Sequence, residues 1–353
     1  MKKKENKKIL HVGSVDKFIP PFIDFINARF VPDEHQFLMS YGMATKEIKP
    51  SNNVAWFDRG LFNRAKFWLA FMLKVNSARG IIFHGLFDVG IIFMLAIQPW
   101  LWKKSYWAIW GGDLYAHKIA RKTIIWHISE FFKKIIIPRM GHFVTHVQGD
   151  YKLACRWYGA KGEWHECFLY PSNLHKDCAL SPSPHKGINI LLGNSATQTN
   201  NHLDALERLR PFSNELAQIY CPLSYGDSAY ADAVVKAGRE IFGEKFTGLR
   251  NFMAPDQYLE LLAKIDIAIF NHDRQQGMGN ITTLLGLGKK VYMRSDLTSW
   301  GVFSKIGVKV YDISELNMTL PGENLARSNE QKVARYFSAD NLFKSWKSVF
   351  AAN

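Results

Sequence analysis

The chain has 353 residues, too many for one ordinary hydrophobic core and enough for two α/β domains. Hydrophobic residues make up 47% and charged residues 22%, values that are normal for a folded soluble protein. The formal net charge of +14 is uneven: residues 1–186 hold 27 Lys and Arg against 14 Asp and Glu, whereas residues 187–353 hold 18 against 17. The basic half is expected to attract an anionic partner, such as nucleic acid, a phospholipid surface or a phosphorylated substrate.

Apolar, strand-like runs alternate with helical patterns along the first half of the chain. The predicted strands are Ile9–Val12, Gln36–Ser40, Gly80–Phe83, Tyr106–Ile109 and His142–Thr145. The predicted helices are Pro21–Arg29, Leu61–Asn76, Val89–Gln98, Lys118–Ile137 and Asp150–Tyr158. Such alternation indicates βαβ units and a parallel sheet.

The segment Gly80–Trp102 is long and apolar enough to be considered as a membrane span. His84, Asp88 and Pro99 interrupt it, and ionisable residues are rare inside a span. The segment also divides naturally into a strand, a turn and a helix. We therefore interpret it as a buried strand–helix pair, with a membrane span as the alternative.

Residues 171–187 contain three prolines and three serines, which indicates a linker. The second half then begins with a strand at Ile188–Leu192 and continues with strands near Leu216–Cys221, Ile265–Phe270 and Lys289–Tyr292. The sequence thus predicts two Rossmann-like α/β domains that face a central cleft, over residues 1–170 and 188–353. The last helix is a candidate for packing back on the N-terminal domain.

The segment Ile265–Asn280 begins as an apolar strand and turns abruptly polar. Its turn contains Arg274, Gln275, Gln276, Gly277 and Gly279, and a helix is predicted from Asn280 to Leu287. A glycine-rich turn between a strand and a helix lets backbone N–H groups and the positive end of the helix dipole face an anion. We interpret it as an anion site; the alternative is an ordinary turn with an exposed arginine.

Two further turns follow strands of the second half. The loop Gly193-Asn194-Ser195, which leads through Asn201 to His202, is predicted to bind a diphosphate, because small residues admit phosphates and Ser and Asn donate hydrogen bonds. Its alternative role is a helix cap. Tyr225 is a candidate for stacking on a nucleobase or sugar, with a surface tyrosine as the alternative.

Two turns of the first half carry candidate catalytic groups. Asp113 follows two glycines at a strand end and is predicted to act as a general base on a sugar hydroxyl. His84 and Asp88, in the other turn, are the next candidates. The alternatives are a helix cap for Asp113 and a satisfied core histidine for His84.

Basic, aromatic and aliphatic residues interleave over Tyr115–Met140 and again over residues 64–74. This pattern is typical of monotopic contact with an anionic lipid surface. The alternative is a pair of core helices with solvated basic faces.

Absent motifs narrow the chemistry further. The chain has no D-x-D, no P-loop and no G-x-G-x-x-G after a strand, which weakens metal-dependent transferase, ATPase and dehydrogenase interpretations. Its four cysteines (Cys155, Cys167, Cys178 and Cys221) do not pair as a zinc site and are expected to be reduced thiols of a cytoplasmic protein. Neither a metal nor a cofactor is expected.

Five segments carry a resemblance to a known family: Phe83–Phe87, Trp107–Tyr115, Gly193–Ser195, Asn201-His202 and Arg274–Gly279. Together they resemble glycosyltransferase family 56, the TDP-N-acetylfucosamine:lipid II N-acetylfucosaminyltransferases of enterobacterial common antigen synthesis. Arg-Gln-Gln-Gly and Trp-Gly-x-Asp-Leu-Tyr are the specific pieces, and the match runs from about residue 80 to 300. The chain departs from the family at Gly112, where Ala is usual, and in the loop Ala196–Asn200.

The resemblance implies a GT-B fold, a TDP-linked deoxyamino sugar donor, an undecaprenyl-diphosphate-linked saccharide acceptor and no metal requirement. We expect a peripheral enzyme on the cytoplasmic face of the inner membrane, which contacts anionic lipid and no nucleic acid. One alternative is an O-antigen or capsule transferase with another nucleotide-deoxysugar donor. The other is a non-catalytic basic binding protein.

Overall fold

The computed structural model describes residues 8–40, 51–58, 60–176 and 186–352. The chain divides into two compact units: unit 1 comprises Met1–Ser172 and Ala339–Asn353, and unit 2 comprises Asn173–Ser338. The predicted linker 171–187 spans the change from unit 1 to unit 2, and its residues 177–185 lie outside the described residues.

Unit 1 is built around a parallel sheet of seven strands: β1 (Ile9–Ser14), β2 (His35–Ser40), β3 (Val54–Phe57), β4 (Gly80–His84), β5 (Ser105–Ala108), β6 (His142–Val144) and β7 (Glu163–His165). Its first six helices are α1 (Ile19–Arg29), α2 (Leu61–Ser77), α3 (Val89–Ala96), α4 (Gly112–Ile119), α5 (Ile124–Ile136) and α6 (Gln148–Tyr158). The strand order is β3-β2-β1-β4-β5-β6-β7, and every pair is parallel. Helices that follow strands therefore cover both faces of the sheet, which makes the central strands fully buried.

Unit 2 has a second parallel sheet of six strands: β8 (Ile188–Leu192), β9 (Leu216–Pro222), β10 (Phe246–Leu249), β11 (Ile267–Phe270), β12 (Lys290–Met293) and β13 (Tyr311–Asp312). Its helices are α7 (His202–Leu209), α8 (Ser228–Phe242), α9 (Pro255–Ala263), α10 (Met278–Gly286), α11 (Trp300–Lys305) and α12 (Glu323–Tyr336). The order is β10-β9-β8-β11-β12-β13, again with parallel pairs. Because β9, β8 and β11 are neighbours, the loops that follow them meet at one edge.

The helix α13 (Ala339–Ala351) follows unit 2 in the chain but packs in unit 1. Trp346 of α13 is fully buried, its ring centroid lies 5.1 Å from that of Phe22, and its indole N–H donates to the backbone oxygen of Leu169 at 2.8 Å. Side chains alternate across the strands, so His11 and His84 lie on this face of the sheet. Leu10 and Phe83 lie on the opposite face with α2 and α3.

Several sequence predictions differ from the structure. The prediction of a single helix over Lys118–Ile137 is wrong. The helix is interrupted at residues 120–123, and Thr123 caps a new helix by accepting a hydrogen bond from the Trp126 amide. Strands β3, β7, β10 and β13 were not predicted. They have two to four residues each, too few for a clear alternation of apolar and polar positions.

The strand–helix interpretation of Gly80–Trp102 is confirmed. This segment forms β4, α3 and a short 3₁₀ turn, Pro99–Lys104. Within the described residues, every helix is either too short or too polar to cross a bilayer.

Candidate functional site

Three loops of unit 2 meet at the carboxyl edge of its sheet, where open α/β sheets bind ligands. Tyr225 lies in the loop after β9, Asn194 in the loop after β8, and Gln276 in the loop after β11. The Asn194 amide donates to the Tyr225 hydroxyl at 3.0 Å, and the Thr199 hydroxyl donates to the Gln276 Oε1 at 2.9 Å. The candidate residues from three separate segments therefore form one cluster.

Two glycines allow this close approach. Gly193 and Gly277 have φ values of 70° and 68°, in the left-handed region that favours glycine. A Cβ atom on Gly193 would collide with the His202 ring, and one on Gly277 would lie 3.2 Å from both Asn194 and His272. Both positions therefore need glycine for the backbone conformation and for space.

Three buried atoms of this cluster have no hydrogen-bond partner among the described residues: Asn194 Oδ1, His202 Nε2 and Gln276 Nε2. Leaving a buried polar atom unsatisfied costs about 1–3 kcal/mol. Burial lowers the pKa of His202 to about 4, so its ring is neutral at pH 7. Three unsatisfied atoms on adjoining loops indicate that a polar ligand completes the cluster.

Helix α10 begins directly after the cluster. Gly277 is its N-cap residue and supplies no side-chain hydrogen bond, so the first N–H groups of the helix are free of a cap. Arg274 lies four residues before the helix and donates from Nη1 to the Gln275 backbone oxygen at 3.1 Å. Burial, and next the charge of Arg274, lowers the pKa of His272 to about 3. A guanidinium beside an uncapped helix start suits a phosphate group.

The other predicted donor residues fix the loops or border the cluster. Asn201 donates to the Asn271 backbone oxygen at 3.0 Å, Ser195 accepts from Asn200 at 3.2 Å, and Asn280 donates to the Tyr258 hydroxyl at 2.9 Å. Gln275 is half-buried in the turn, and Gly279 lies in the first turn of α10. The hydrogen bonds of Asn201, Ser195 and Asn280 hold the loops that carry the three unsatisfied atoms.

A cavity of about 570 Å³ adjoins these loops near Asn201. Four carboxylates and two guanidiniums line it: Asp204, Asp273, Asp296, Asp312, Arg208 and Arg294. Arg294 is already paired with Asp273 at 2.8 Å and Asp296 at 2.7 Å. The excess of carboxylates in this cavity disfavours a diphosphate, so the candidate anion position remains at the start of α10.

In unit 1, Asp113 is buried and fully hydrogen-bonded. Its Oδ2 accepts from the Leu86 amide at 2.9 Å and the Trp107 indole at 2.6 Å, and its Oδ1 accepts from the amides of Trp110 at 3.1 Å and Leu114 at 3.0 Å. Four donors fill the acceptor positions of a carboxylate. The carboxylate therefore ties the β4 and β5 loops together.

The other two predicted catalytic groups also have protein partners. Asp88 is exposed and caps α3 by accepting from the Ile91 amide at 3.1 Å. His84 is buried, and burial lowers its pKa to about 3. Its two ring nitrogens lie 2.6 Å from the Tyr170 hydroxyl and 3.1 Å from His11.

His84 belongs to a longer hydrogen-bonded chain. The Trp110 indole N–H donates to the Tyr170 hydroxyl oxygen at 2.6 Å, Tyr170 contacts His84, His84 contacts His11, and His11 contacts His35 at 3.2 Å. All three imidazoles are buried. We name this set the histidine chain.

One group of possible metal ligands occurs among the described residues. His142 begins β6, and Glu163 and His165 are the first and last residues of β7; the His142 and His165 nitrogens lie 2.9 Å apart and the Glu163 oxygen lies 3.7 and 3.8 Å from them. The candidate catalytic residues belong to β4 and to the segments that follow β4 and β5, so this group lies on other strands.

Comparison with known proteins identifies the family. A family model described as 4-alpha-L-fucosyltransferase, glycosyl transferase group 56, matches residues 22–353. The chain belongs to this family. It is therefore a glycosyltransferase, and the resemblance found in the sequence is confirmed.

Solved glycosyltransferases share the fold of this family 56 member. WaaB, a lipopolysaccharide outer core galactosyltransferase, is 14% identical with a TM-score of 0.66, covering 98% of this chain and 100% of its own. WaaG, a glycosyltransferase involved in lipopolysaccharide biosynthesis, is 10% identical with a TM-score of 0.64, covering 96% of this chain and 98% of its own. HepE of Anabaena, in complex with UDP and glucose, is 12% identical with a TM-score of 0.63, covering 98% of this chain and 100% of its own. At these identities the likeness establishes the GT-B fold.

Sequence reasoning missed three residues that build the candidate site. Asn200 accepts from the Asn194 backbone N–H at 3.0 Å, His272 lies 3.1 Å from the same Asn200 oxygen, and Thr199 donates to Gln276. Asn200 and Thr199 precede the Asn201-His202 pair, and His272 precedes the Arg274 turn. No local motif distinguishes them, because the Asn200–His272 and Thr199–Gln276 contacts join the loops after two different strands.

Proposed function

We propose that this glycosyltransferase moves a 4-acetamido-4,6-dideoxyhexose of the N-acetylfucosamine type from a TDP-sugar to an undecaprenyl-diphosphate-linked saccharide. The family supports glycosyl transfer, and its description names a fucosyl group, which is also a 6-deoxyhexose. HepE, with the same fold, holds UDP, which supports a nucleoside diphosphate as the ligand of the unit 2 loops.

The observation that carries the proposal is the cluster at the start of α10. Asn194, His202 and Gln276 present unsatisfied buried atoms beside Arg274 and an uncapped helix N-terminus. The Gln276 amide N–H, a guanidinium and helix N–H groups together match the charge and acceptor oxygens of a diphosphate, whereas Asn194 Oδ1 can only accept from the ligand. We propose that Tyr225, which is 42% exposed and hydrogen-bonded to Asn194, borders the nucleoside.

Arg274→Ala tests the donor site. Charge-assisted hydrogen bonds contribute about 1.5–3 kcal/mol, so TDP should bind this variant about 10- to 100-fold more weakly. TDP should raise the melting temperature of the wild type more than UDP or GDP does, and raise that of Arg274→Ala far less. Arg327→Ala removes an exposed arginine on α12 and is the matched control.

Measuring sugar transfer to a lipid-linked acceptor distinguishes a TDP-linked donor from another nucleotide-deoxysugar donor. Arg274→Ala should lose most transfer from the TDP-sugar while keeping its folded melting profile. Near wild-type turnover in that variant contradicts the donor site. Turnover with another nucleotide-deoxysugar, and none with the TDP-linked one, would favour an O-antigen or capsule transferase instead.

The acceptor proposal rests on a surface of unit 1. In α5 most of the apolar side chains before Phe132 face outward: Ile124 is 80% exposed and Phe131 61%. Glu130 and Lys133 face inward, where Glu130 bonds to His117 at 2.6 Å and Lys133 donates to the Asp113 backbone oxygen at 3.0 Å. This arrangement inverts the usual amphipathic pattern of a soluble helix, and it suits a helix that lies in a membrane surface.

The same apolar face extends over neighbouring helices. Phe93 of α3 contacts Phe132 of α5 with ring centroids 5.4 Å apart, and Gly90 of α3 packs closely against Trp68 of α2. The exposed apolar residues of α2, α3 and the turn after α3 are Leu61, Phe62, Leu69, Met72, Leu73, Phe93, Ile97 and Trp100. Lysines border this face, as at Lys66, Lys118 and Lys122. We propose that it binds the anionic cytoplasmic face of the inner membrane, where a lipid-linked acceptor is presented.

A further inference from the structure

We propose that Asp16, which no sequence motif singled out, is the general base that removes the proton from the acceptor hydroxyl. The proposal rests on the proposed glycosyl transfer and deepens it. It places the base on the loop between β1 and α1 and assigns structural roles to Asp113 and His84.

The position of Asp16 is that of a ligand-binding residue. It lies two residues beyond β1, at the carboxyl edge of the sheet, and β1 is flanked by β2 and β4. Open α/β sheets bind their ligands at this edge. The Asp16 side chain is half-buried, so it is reachable from solvent and still shielded by protein.

Asp16 keeps unused lone pairs, in contrast to the other candidates. Its carboxylate accepts from the Phe18 amide on Oδ1 at 2.8 Å and also from the Ile19 amide, which occupies two of its about four acceptor positions. Asp113 accepts four hydrogen bonds, and both ring nitrogens of His84 contact protein groups. A general base needs a free lone pair within hydrogen-bond reach of the substrate proton.

Aromatic rings lie next to the loop that carries Asp16. Phe18, two residues beyond Asp16, packs edge-on against Trp110 with centroids 5.5 Å apart and stacks on Tyr170 at 6.0 Å. Phe87, 53% exposed, also packs edge-on against Trp110, with centroids 5.8 Å apart. Apolar rings near a carboxylate suit a sugar, whose ring presents C–H faces and hydroxyl edges.

The electrostatics fit the role. Burial raises the pKa of Asp16 to about 6, although the Phe18 amide and Lys17 oppose that rise. The carboxylate is therefore ionised at pH 7 and has a proton affinity close to the working pH, which is the optimum for general base catalysis. Tyr170, the other titratable group near it, stays protonated because burial raises its pKa well above the usual range.

The step balances without any further reactant. The acceptor O–H bond breaks, and its proton passes to the Asp16 carboxylate. The freed electron pair of the oxygen forms a bond to the anomeric carbon of the donor. The bond between that carbon and the nucleoside diphosphate breaks, and its electron pair leaves on the diphosphate oxygen.

Asp16→Asn is the decisive variant, because asparagine keeps the oxygen that accepts from the Phe18 amide and loses the proton acceptor. We expect kcat for transfer from the TDP-sugar to fall by about 10²- to 10⁴-fold. The rise of wild-type kcat/KM with pH through about 6 should disappear. The TDP-induced melting shift should be unchanged. Asp24→Asn, on the exposed side of α1, is the matched control.

A second readout does not depend on activity. The folded-state pKa of Asp16 lies above its unfolded value, so its ionisation destabilises the wild type as pH rises through about 6. Asp16→Asn should therefore melt higher than the wild type at pH 8, and the difference should shrink at pH 5. A catalytic carboxylate that lowers the stability of the fold gives a variant that melts higher than the wild type at pH 8. A residue that supports the fold gives a variant that melts lower.

The outcomes separate the two proposals. If Asp16→Asn transfers sugar at the wild-type rate and its kcat/KM still rises with pH through about 6, the base assignment is overturned and the proposed function stands. A lower melting temperature of Asp16→Asn at pH 8 also overturns it. A wild type that transfers no sugar from the TDP donor overturns the proposed function and the base assignment together.

Discussion

The indole of Trp110 sets the direction of the whole histidine chain. An indole N–H only donates, so the Tyr170 oxygen accepts from it, and Tyr170 is left with its own proton to give to His84 Nδ1. We therefore expect His84 to carry its hydrogen on Nε2 and donate to His11 Nδ1, and His11 and His35 to adopt the same tautomer. Every link thus depends on all three imidazoles being neutral.

Acid should lower the free energy of unfolding through these three imidazoles. Burial lowers the pKa of His84 to about 3 and of His35 to about 4, and that of His11 falls well below its usual value. The unfolded state binds more protons below about pH 6.5, so stability is full above that pH and falls as pH decreases toward the folded-state values. We expect a loss of about 1–2 kcal/mol per histidine between pH 7 and pH 5, measured by urea unfolding.

Nitrogen NMR checks the same prediction ring by ring. The three imidazoles should show protonated Nε2 and bare Nδ1 at pH 7 and keep that pattern at pH 5, with exposed His127 as the reference ring. Stability that stays flat from pH 7 to pH 5 would contradict the expected linkage.

Gly277 is the residue at which backbone and ligand requirements coincide. Gly277→Ala places a side chain in the left-handed region, at a cost of about 1–2 kcal/mol, and pushes a Cβ to 3.2 Å from Asn194 and His272. We expect a lower melting temperature and loss of most of the TDP-induced shift. Gly301→Ala, in α11, meets open space and should be neutral or slightly stabilising. Equal TDP shifts in both variants would exclude a role for the Gly277 turn.

The residue types at the site were predictable, but their partners were not. Asp113 after two glycines suggested a projecting carboxylate, yet its donors include Leu86, from the loop after a neighbouring strand. Asp16 has no motif around it, and its half-buried setting arises only when the loop after β1 folds near Tyr170. Hydrogen-bond saturation is a property of tertiary contacts, which short-range spacing does not encode.

At the scale of elements, α5 shows how far a composition pattern can be taken. The sequence left open whether Tyr115–Met140 forms core helices or a lipid surface, because its apolar and basic residues interleave. The buried hydrogen bonds of Glu130 and Lys133 favour the lipid surface, since they assign the polar face to the interior. Short edge strands such as β7 and β13 had no comparable signal.

Replacing outward residues of α5 tests this helix. Ile124→Ser and Ile128→Ser should each weaken binding to anionic phosphatidylglycerol vesicles about 5- to 30-fold, because about 1–2 kcal/mol of apolar burial is lost. Neither change should lower the melting temperature in water. Leu203→Ser, at an exposed position on α7, is the control and should leave vesicle binding unchanged. Binding insensitive to both isoleucine changes would remove α5 from the membrane surface.

At the scale of the whole molecule, α13 determines the stability of unit 1. Trp346→Ala should cost about 3–5 kcal/mol, the usual range for removing a fully buried tryptophan. Calorimetry should show the transition of unit 1 moving down while the TDP-sensitive transition of unit 2 stays in place. Lys347→Ala, on the exposed side of the same helix, should change neither. A joint downward shift of both transitions would contradict this division.

The return of α13 to unit 1 also determines the order in which the two units mature on the ribosome. Unit 2 is continuous over Asn173–Ser338, whereas unit 1 lacks the helix that covers Phe22 and His11 until residues 339–351 have been synthesised. Domains otherwise tend to fold from the N-terminal side first during synthesis. Here the unit that is translated first is completed last, so its half-covered sheet, with the histidine chain exposed, must wait while the whole of unit 2 is made.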